Sequence, residues 1–112
     1  MADSLAVLRG TLDLLILRAL SRRPLHGYAV MRWIEGSTGG ELGIEEGSLY
    51  PALYRLEDRG WIESDWGLSE NNRRARYYRI TTLGRPQLKA EVREFTRFAK
   101  AVFRAIEAPL PA

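Results

Sequence analysis

Four arginines stand within seven positions of the run SENNRRARYYRI, at Arg73, Arg74, Arg76 and Arg79, and no acid follows Glu70 in it. Guanidinium groups gathered in this way attract polyanions through their field and by releasing the counterions condensed on a nucleic acid. The net charge of +3 says little by itself. Its distribution says more: five arginines and no acid lie between Asn71 and Arg85, whereas Met1–Gly47 holds five arginines against six acids. A charge run alone is ordinarily a solvated turn, so a second element must present groups that can read a duplex. The run GSLYPALYRLEDRG supplies one. Leu49, Leu53 and Leu56 recur at spacings of 4 and 3 and form an inward stripe, which leaves Ser48, Tyr50, Pro51, Tyr54 and Arg55 on or near the remaining surface. A helix fits the major groove with its N-terminal residues at base edges, and its N-terminus favours phosphate.

Other chemistries find no support. There is no cysteine and one histidine, His26, so a zinc site has no donor set. No P-loop, G-x-G-x-x-G, nucleophile elbow or metal-ligand cluster occurs, and nothing pairs a base with a serine, so neither an enzyme nor a cofactor is expected. The most apolar stretch, Leu12–Leu20, is interrupted by Asp13 and Arg18 and is too short to span a bilayer. MADSLAVLRG lacks the basic start of a signal peptide, so a cytoplasmic location is expected.

The elements that must position these groups follow from periodicity. GTLDLLILRAL reads as a first helix from Gly10 to about Ser21, apolar nearly all round, with Asp13 set against the helix dipole. So small a domain does not easily cover such a helix, and Leu12, Leu15 and Ile16 are therefore expected to meet a partner chain. HGYAVMRWIEGST reads as a second helix over Gly27–Ser37, opened by His26 and followed by the loop TGGELG. The third helix is expected to start near Ser48 as N-cap, with Pro51 confined to its first turn, and to stop at Gly60. WIESDWG and ARYYRITT alternate as two antiparallel strands around a polar tip with Asn71 and Asn72, and Arg79 is expected opposite Glu63 as a structural cross-strand pair. Arg73, Arg74 and Arg76 have no such partner in view. The last helix, about Leu83–Glu107, carries Leu88, Val92, Phe95, Ala99, Val102 and Ile106 at alternating spacings of 4 and 3. A helix lying across its own domain would carry such a stripe too, but one this long is poorly explained by a single core, so it is expected to be the seam of a helical interface between two chains, with Phe98 and Phe103 widening it. The fold class is mainly α with a small β-hairpin: a winged helix-turn-helix over 8–82 plus a long C-terminal dimerisation helix over 83–107.

GTLDLLILRAL, PLHGYAV, GSLYPALYRLEDRGWIESDW, RRARYYRIT and GRPQLKAEVREF, spread from about Leu8 to Ile106, resemble the PadR family of bacterial transcriptional regulators. The resemblance implies a homodimeric winged-helix repressor in the compact form of the family, with a single C-terminal helix. It implies that the Ser48–Arg59 helix reads an operator in double-stranded DNA and that the Asn71–Arg76 wing touches the backbone. Histidine 26 is expected to cap or position the second helix and, with it, to approach a phosphate. The resemblance also implies relief by a small aromatic or drug-like effector at the dimer interface, for which Phe95 and Phe98 are the candidate contacts. Phe95 stands where family members commonly carry tryptophan; it can stack on a flat ligand but lacks the indole N–H donor. The rival reading is a winged-helix protein-interaction module without specific DNA binding, since the fold serves both uses.

Overall fold

The computed structural model describes residues 5–6 and 9–112. The element order is β1 (Leu5–Ala6), α1 (Arg9–Ala19), β2 (Leu25–His26), α2 (Gly27–Ser37), β3 (Leu42–Gly43), α3 (Glu46–Asp58), β4 (Ile62–Leu68), β5 (Arg74–Ile80) and α4 (Gly84–Glu107). Strands β5 and β4 form the expected hairpin, with Ile62 opposite Ile80 and Glu63 opposite Arg79. The wing is broader than a hairpin: β2 joins it antiparallel to β5, giving a three-stranded sheet in the order β2-β5-β4. A two-residue parallel pairing of β1 with β3 turns the expected TGGELG loop into a fixed link ahead of α3. Leu8, where the N-terminal unit is expected to begin, lies outside the described residues.

The core corrects the expectation for α1. Ile16 and Leu17 are 0 % exposed and Leu12 is 4 %. The chain itself covers them, because α1 runs through the middle and packs against α2, α3 and α4. Leu15 lies partly buried against the same cluster, with Val30, Ile34, Leu49, Leu53, Leu56, Ile62 and Ile80 as its members. A helix apolar nearly all round is therefore explained by three helices of its own chain. Leu12 and Ile16 present no surface to a partner.

The start of α3 is also corrected. The helix begins at Glu46 with Glu45 as N-cap, and the amides of Ser48 and Leu49 both donate to the Glu45 carbonyl at 3.0 Å. Buried Ile44 and the β1–β3 pairing fix the entry of the chain, while Glu46 suits the positive end of the dipole. Ser48 is thus an exposed first-turn residue and not the cap. Pro51 falls inside the helix. The hydrogen bond it forgoes is to the carbonyl of Gly47, an exposed residue that water can satisfy. Gly60 ends the segment at φ 78°, and the Trp61 amide closes back on the Leu56 carbonyl at 3.1 Å, as a glycine stop requires.

Helix α4 is about 36 Å long by its residue count. Its beginning lies on the core through Leu88. Beyond that it leaves the domain, and Val92, Phe95, Phe98, Val102, Phe103 and Ile106 are all exposed. The radius of gyration, 16.2 Å, exceeds the roughly 13 Å of a compact chain this long because of that projection.

Candidate nucleic-acid interface

Helix α3 buries Leu49, Leu53 and Leu56 and turns Ser48, Tyr50, Pro51 and Tyr54 to solvent, with Tyr54 73 % exposed. Arg55 departs from this surface. Its Nη2 donates to Asp13 Oδ1 of α1 at 2.8 Å, and both side chains are largely shielded. The expected outward arginine is an interior strut between α1 and α3; because α1 begins at Arg9, Asp13 lies past its first turn, so the expected dipole role gives way to this pair.

The wing is tied to α3 by a polar chain. Ser64 Oγ donates to Glu57 Oε2 at 2.7 Å, Arg76 Nε donates to Ser64 Oγ at 2.8 Å, and Arg76 Nη2 lies 3.3 Å from Glu57 Oε2. Arg76, expected to lack an acidic partner, therefore has one, yet nearly half its side chain remains in solvent. Trp66 stands opposite it on β4. The Arg74 guanidinium lies 4.4 Å from the centre of the Trp66 ring and that of Arg76 5.9 Å, so one indole steadies two cations. On the opposite face Arg79 bonds Glu63 and Asp65 at 3.0 Å each. Those bonds, to Asp65 first, hold its proton more tightly than usual. Arg79 is structural, as the register implied.

The tip turns through Asn72 at φ 61°, a conformation asparagine tolerates, and is closed by the Ser69 amide donating to the Arg73 carbonyl at 2.8 Å. Asn71, Asn72, Arg73 and Arg74 are exposed there. Tyr77 Oη donates to the Leu68 carbonyl at 2.8 Å and stiffens the rim.

His26 joins the wing to α2. Its Nδ1 accepts the Ala29 amide at 3.1 Å, the capping role expected of it. An accepting Nδ1 leaves the ring proton on Nε2, which donates to Glu70 Oε1 at 3.3 Å. The Tyr77 ring meets the imidazole edge-on at 5.4 Å. The Glu70 carboxyl is held below its ordinary value by its own backbone amide first and by His26 next. Tyr50 lies against the start of α2: a Cβ on Gly27 would stand 2.7 Å from its hydroxyl and 3.0 Å from its ring. Glycine at 27 is what lets the Tyr50 ring lie there.

Together these groups line an open cleft of about 770 Å³ between α2, α3 and the wing, bounded by His26, Tyr50, Trp66, Arg73, Arg74 and Arg76. Sequence reasoning missed Gly27, Arg32, Trp66 and Glu70 as parts of this cleft. HGY was the available signal for Gly27. Glu70 has no comparable signal in the sequence, since its pairing with His26 joins residues 44 apart. Among the described residues no group of side chains could hold a metal ion, and no helix is long and apolar enough to cross a membrane.

The comparisons agree with this architecture. The model of the Transcriptional regulator PadR-like family matches residues 16–90. A solved transcriptional regulator from Clostridium thermocellum superposes with a TM-score of 0.78 at 34 % identity, over 86 % of this chain and 93 % of that one. A PadR family transcriptional regulator from Eggerthella lenta superposes with a TM-score of 0.75 at 32 % identity, over 90 % of this chain and 86 % of its own. An uncharacterized protein, protein X, of Lysinibacillus sphaericus is 32 % identical over 96 residues, which are 86 % of this chain and 88 % of that protein. The winged-helix frame and the blocks GSLYPALYRLE and RARYYRIT thus coincide in one chain, which belongs to the PadR-like family of transcriptional regulators.

Proposed function

We propose that the protein is a homodimeric repressor that binds a double-stranded DNA operator through α3 and the wing and is released from it by a small aromatic or drug-like effector. The single observation that carries the reading is the cleft, with Tyr50 of α3 on one side and Arg73, Arg74 and Arg76 on the other; Ser48, Pro51 and Tyr54 are exposed along the same helix, and Glu57 and Ser64 tie that helix to the wing. Tyrosine and serine hydroxyls offer hydrogen bonds to base edges, while the arginines, with Asn71, Asn72 and the α2 start at His26, suit phosphates, which position a protein but do not select sequence. Residues 8–82 form the DNA-binding unit and 83–107 the dimerisation helix. The exposed seam from Val92 to Ile106 supports the dimer, and the exposed Phe95 and Phe98 support an aromatic effector near it. A chain with this role works in the cytoplasm.

Fluorescence anisotropy with duplex DNA from upstream of the protein's own gene, against a scrambled duplex and at several salt concentrations, tests the reading. Selective binding that weakens by about 0.9 log units per tenfold salt for each phosphate neutralised is expected. Arg73→Ala with Arg74→Ala should weaken binding to both duplexes and flatten the salt dependence; Tyr54→Ala should mainly reduce discrimination between them. Indifference to the duplex and to salt would favour a protein-interaction module instead.

A further inference from the structure

A second cationic surface lies outside the cleft. Arg18 at the end of α1, Arg22 and Arg23 in the turn that follows, and Arg32 on α2 line a concavity of about 630 Å³ with Ser21 and Trp33. All four arginines are exposed, and none forms an ion pair among the described residues. Arg18 has a local use, at the negative end of the α1 dipole. Arg22 and Arg23 lie beyond that helix and have none. The turn is ordered: Ser21 Oγ donates to the Arg18 carbonyl at 2.8 Å, and Arg85, from the first turn of α4, donates to the Ser21 carbonyl at 3.0 Å, bringing a fifth cation to it. Like charges gathered on an ordered surface repel one another unless a polyanion covers them.

The two surfaces are continuous. Ala29 and Arg32 line both this concavity and the cleft beside the wing. Arg32 lies over the Tyr28 ring at 5.7 Å, and its field reaches Glu70 at the wing tip, where it helps hold the carboxyl ionised. Following the surface from α3, one meets Tyr50, the start of α2, Arg32, and then the turn. Cations spaced along such a strip match a duplex backbone, which carries a charge about every 1.7 Å of its axis.

We infer that the turn between α1 and α2, through Arg22 and Arg23 with Arg18 and Arg32 beside them, is a second phosphate-backbone contact that extends the DNA path past the wing cleft. This rests on the DNA-binding reading and adds contacts that lengthen the footprint without choosing sequence.

The test is the full-length Arg22→Gln, Arg23→Gln variant, checked for an unchanged melting temperature. Its affinity is measured by anisotropy on a random-sequence 40-base-pair duplex at several salt concentrations, and phosphate-ethylation interference is run on the duplex from upstream of the gene. The slope of log affinity against log salt should become shallower by about 1 to 2. Interference should disappear at phosphates other than those lost in the Arg73→Gln, Arg74→Gln variant. Discrimination between duplexes should stay as in the wild type. A slope equal to the wild type's overturns the inference and would leave the patch to an acidic protein surface. Loss of the same phosphates in both variants also overturns it, since the turn would then add no separate contact. A wild type that binds no duplex at low salt defeats the DNA-binding reading itself, and this inference with it.

Discussion

Helices α1 and α4 look alike in the sequence, each too apolar for a small domain, and the fold treats them in opposite ways. Every large apolar side chain of α1 is buried or partly buried, because α2, α3 and α4 surround it. Helix α4 begins on the same core and then carries its seam into solvent, with Phe95 44 % and Ile106 69 % exposed. Apolar content thus signals burial without saying whose atoms provide it. Position in the topology decides that: a first helix with three neighbours is covered by its own chain, whereas a last helix that outruns its domain leaves its stripe exposed, which on the proposed reading a second copy covers. Exposed large apolar residues in a contiguous stripe mark an interaction surface.

The sharpest way to break the comparison is at Ile16, which the chain seals completely. Ile16→Ala should lower folding stability by about 2–5 kcal/mol, through lost burial and a cavity, with subunit exchange no faster than stability alone explains. Chemical denaturation read by tryptophan fluorescence checks it, and a selective loss of dimer with full stability would return α1 to the interface. Val102→Glu should do the reverse, weakening self-association by roughly a hundredfold, about 3 kcal/mol for an uncompensated buried charge, while residues 9–82 keep their melting behaviour; light scattering over a dilution series reads it. Smaller is the strut between α1 and α3. Asp13→Asn should cost about 1–3 kcal/mol, the range for a charged hydrogen bond in a shielded setting, and should free Arg55 toward solvent. If stability holds in thermal melts, Arg55 is not a strut, and its expected outward role revives. Smallest is the tether from the wing to α2. Glu70 is fully exposed, and its folded pKa lies below the ordinary 4.5. The stabilisation it lends is therefore complete above 4.5 and is lost as pH falls through the lower folded value. Amide exchange in the wing should rise over that acid window in the wild type, and Glu70→Gln should flatten the change.

Much of the frame was legible because it is local. The 3.6-residue stripe gave α2 its observed bounds, Gly27–Ser37, and alternation gave the hairpin a register with Glu63 opposite Arg79. The capping role of His26 and the stop at Gly60 follow from residue type at a helix end. What the residues concealed depends on contacts distant in sequence. The Arg55–Asp13 pair joins residues 42 apart, and nothing local distinguishes a paired arginine from a free one. Leu25–His26 is too short to show alternation, yet β5 recruits it as a third strand. The start of α3 moved to Glu46 because a tertiary pairing before it outweighs the capping preference of Ser48. In the cleft the arginines were visible as composition. Their mounting on Trp66 and Glu57 was not, since it needs both the hairpin register and the docking of α3.

The contrast between the two helices rests on a second copy covering α4. Sedimentation velocity of the wild-type chain, diluted from tens of micromolar to well below one, tests it most directly. The account predicts a single species of twice the 12.8 kDa chain mass that dissociates only at the lowest concentrations. A chain that sediments as a well-folded monomer throughout would contradict it, and the exposed seam of α4 would then need a different partner.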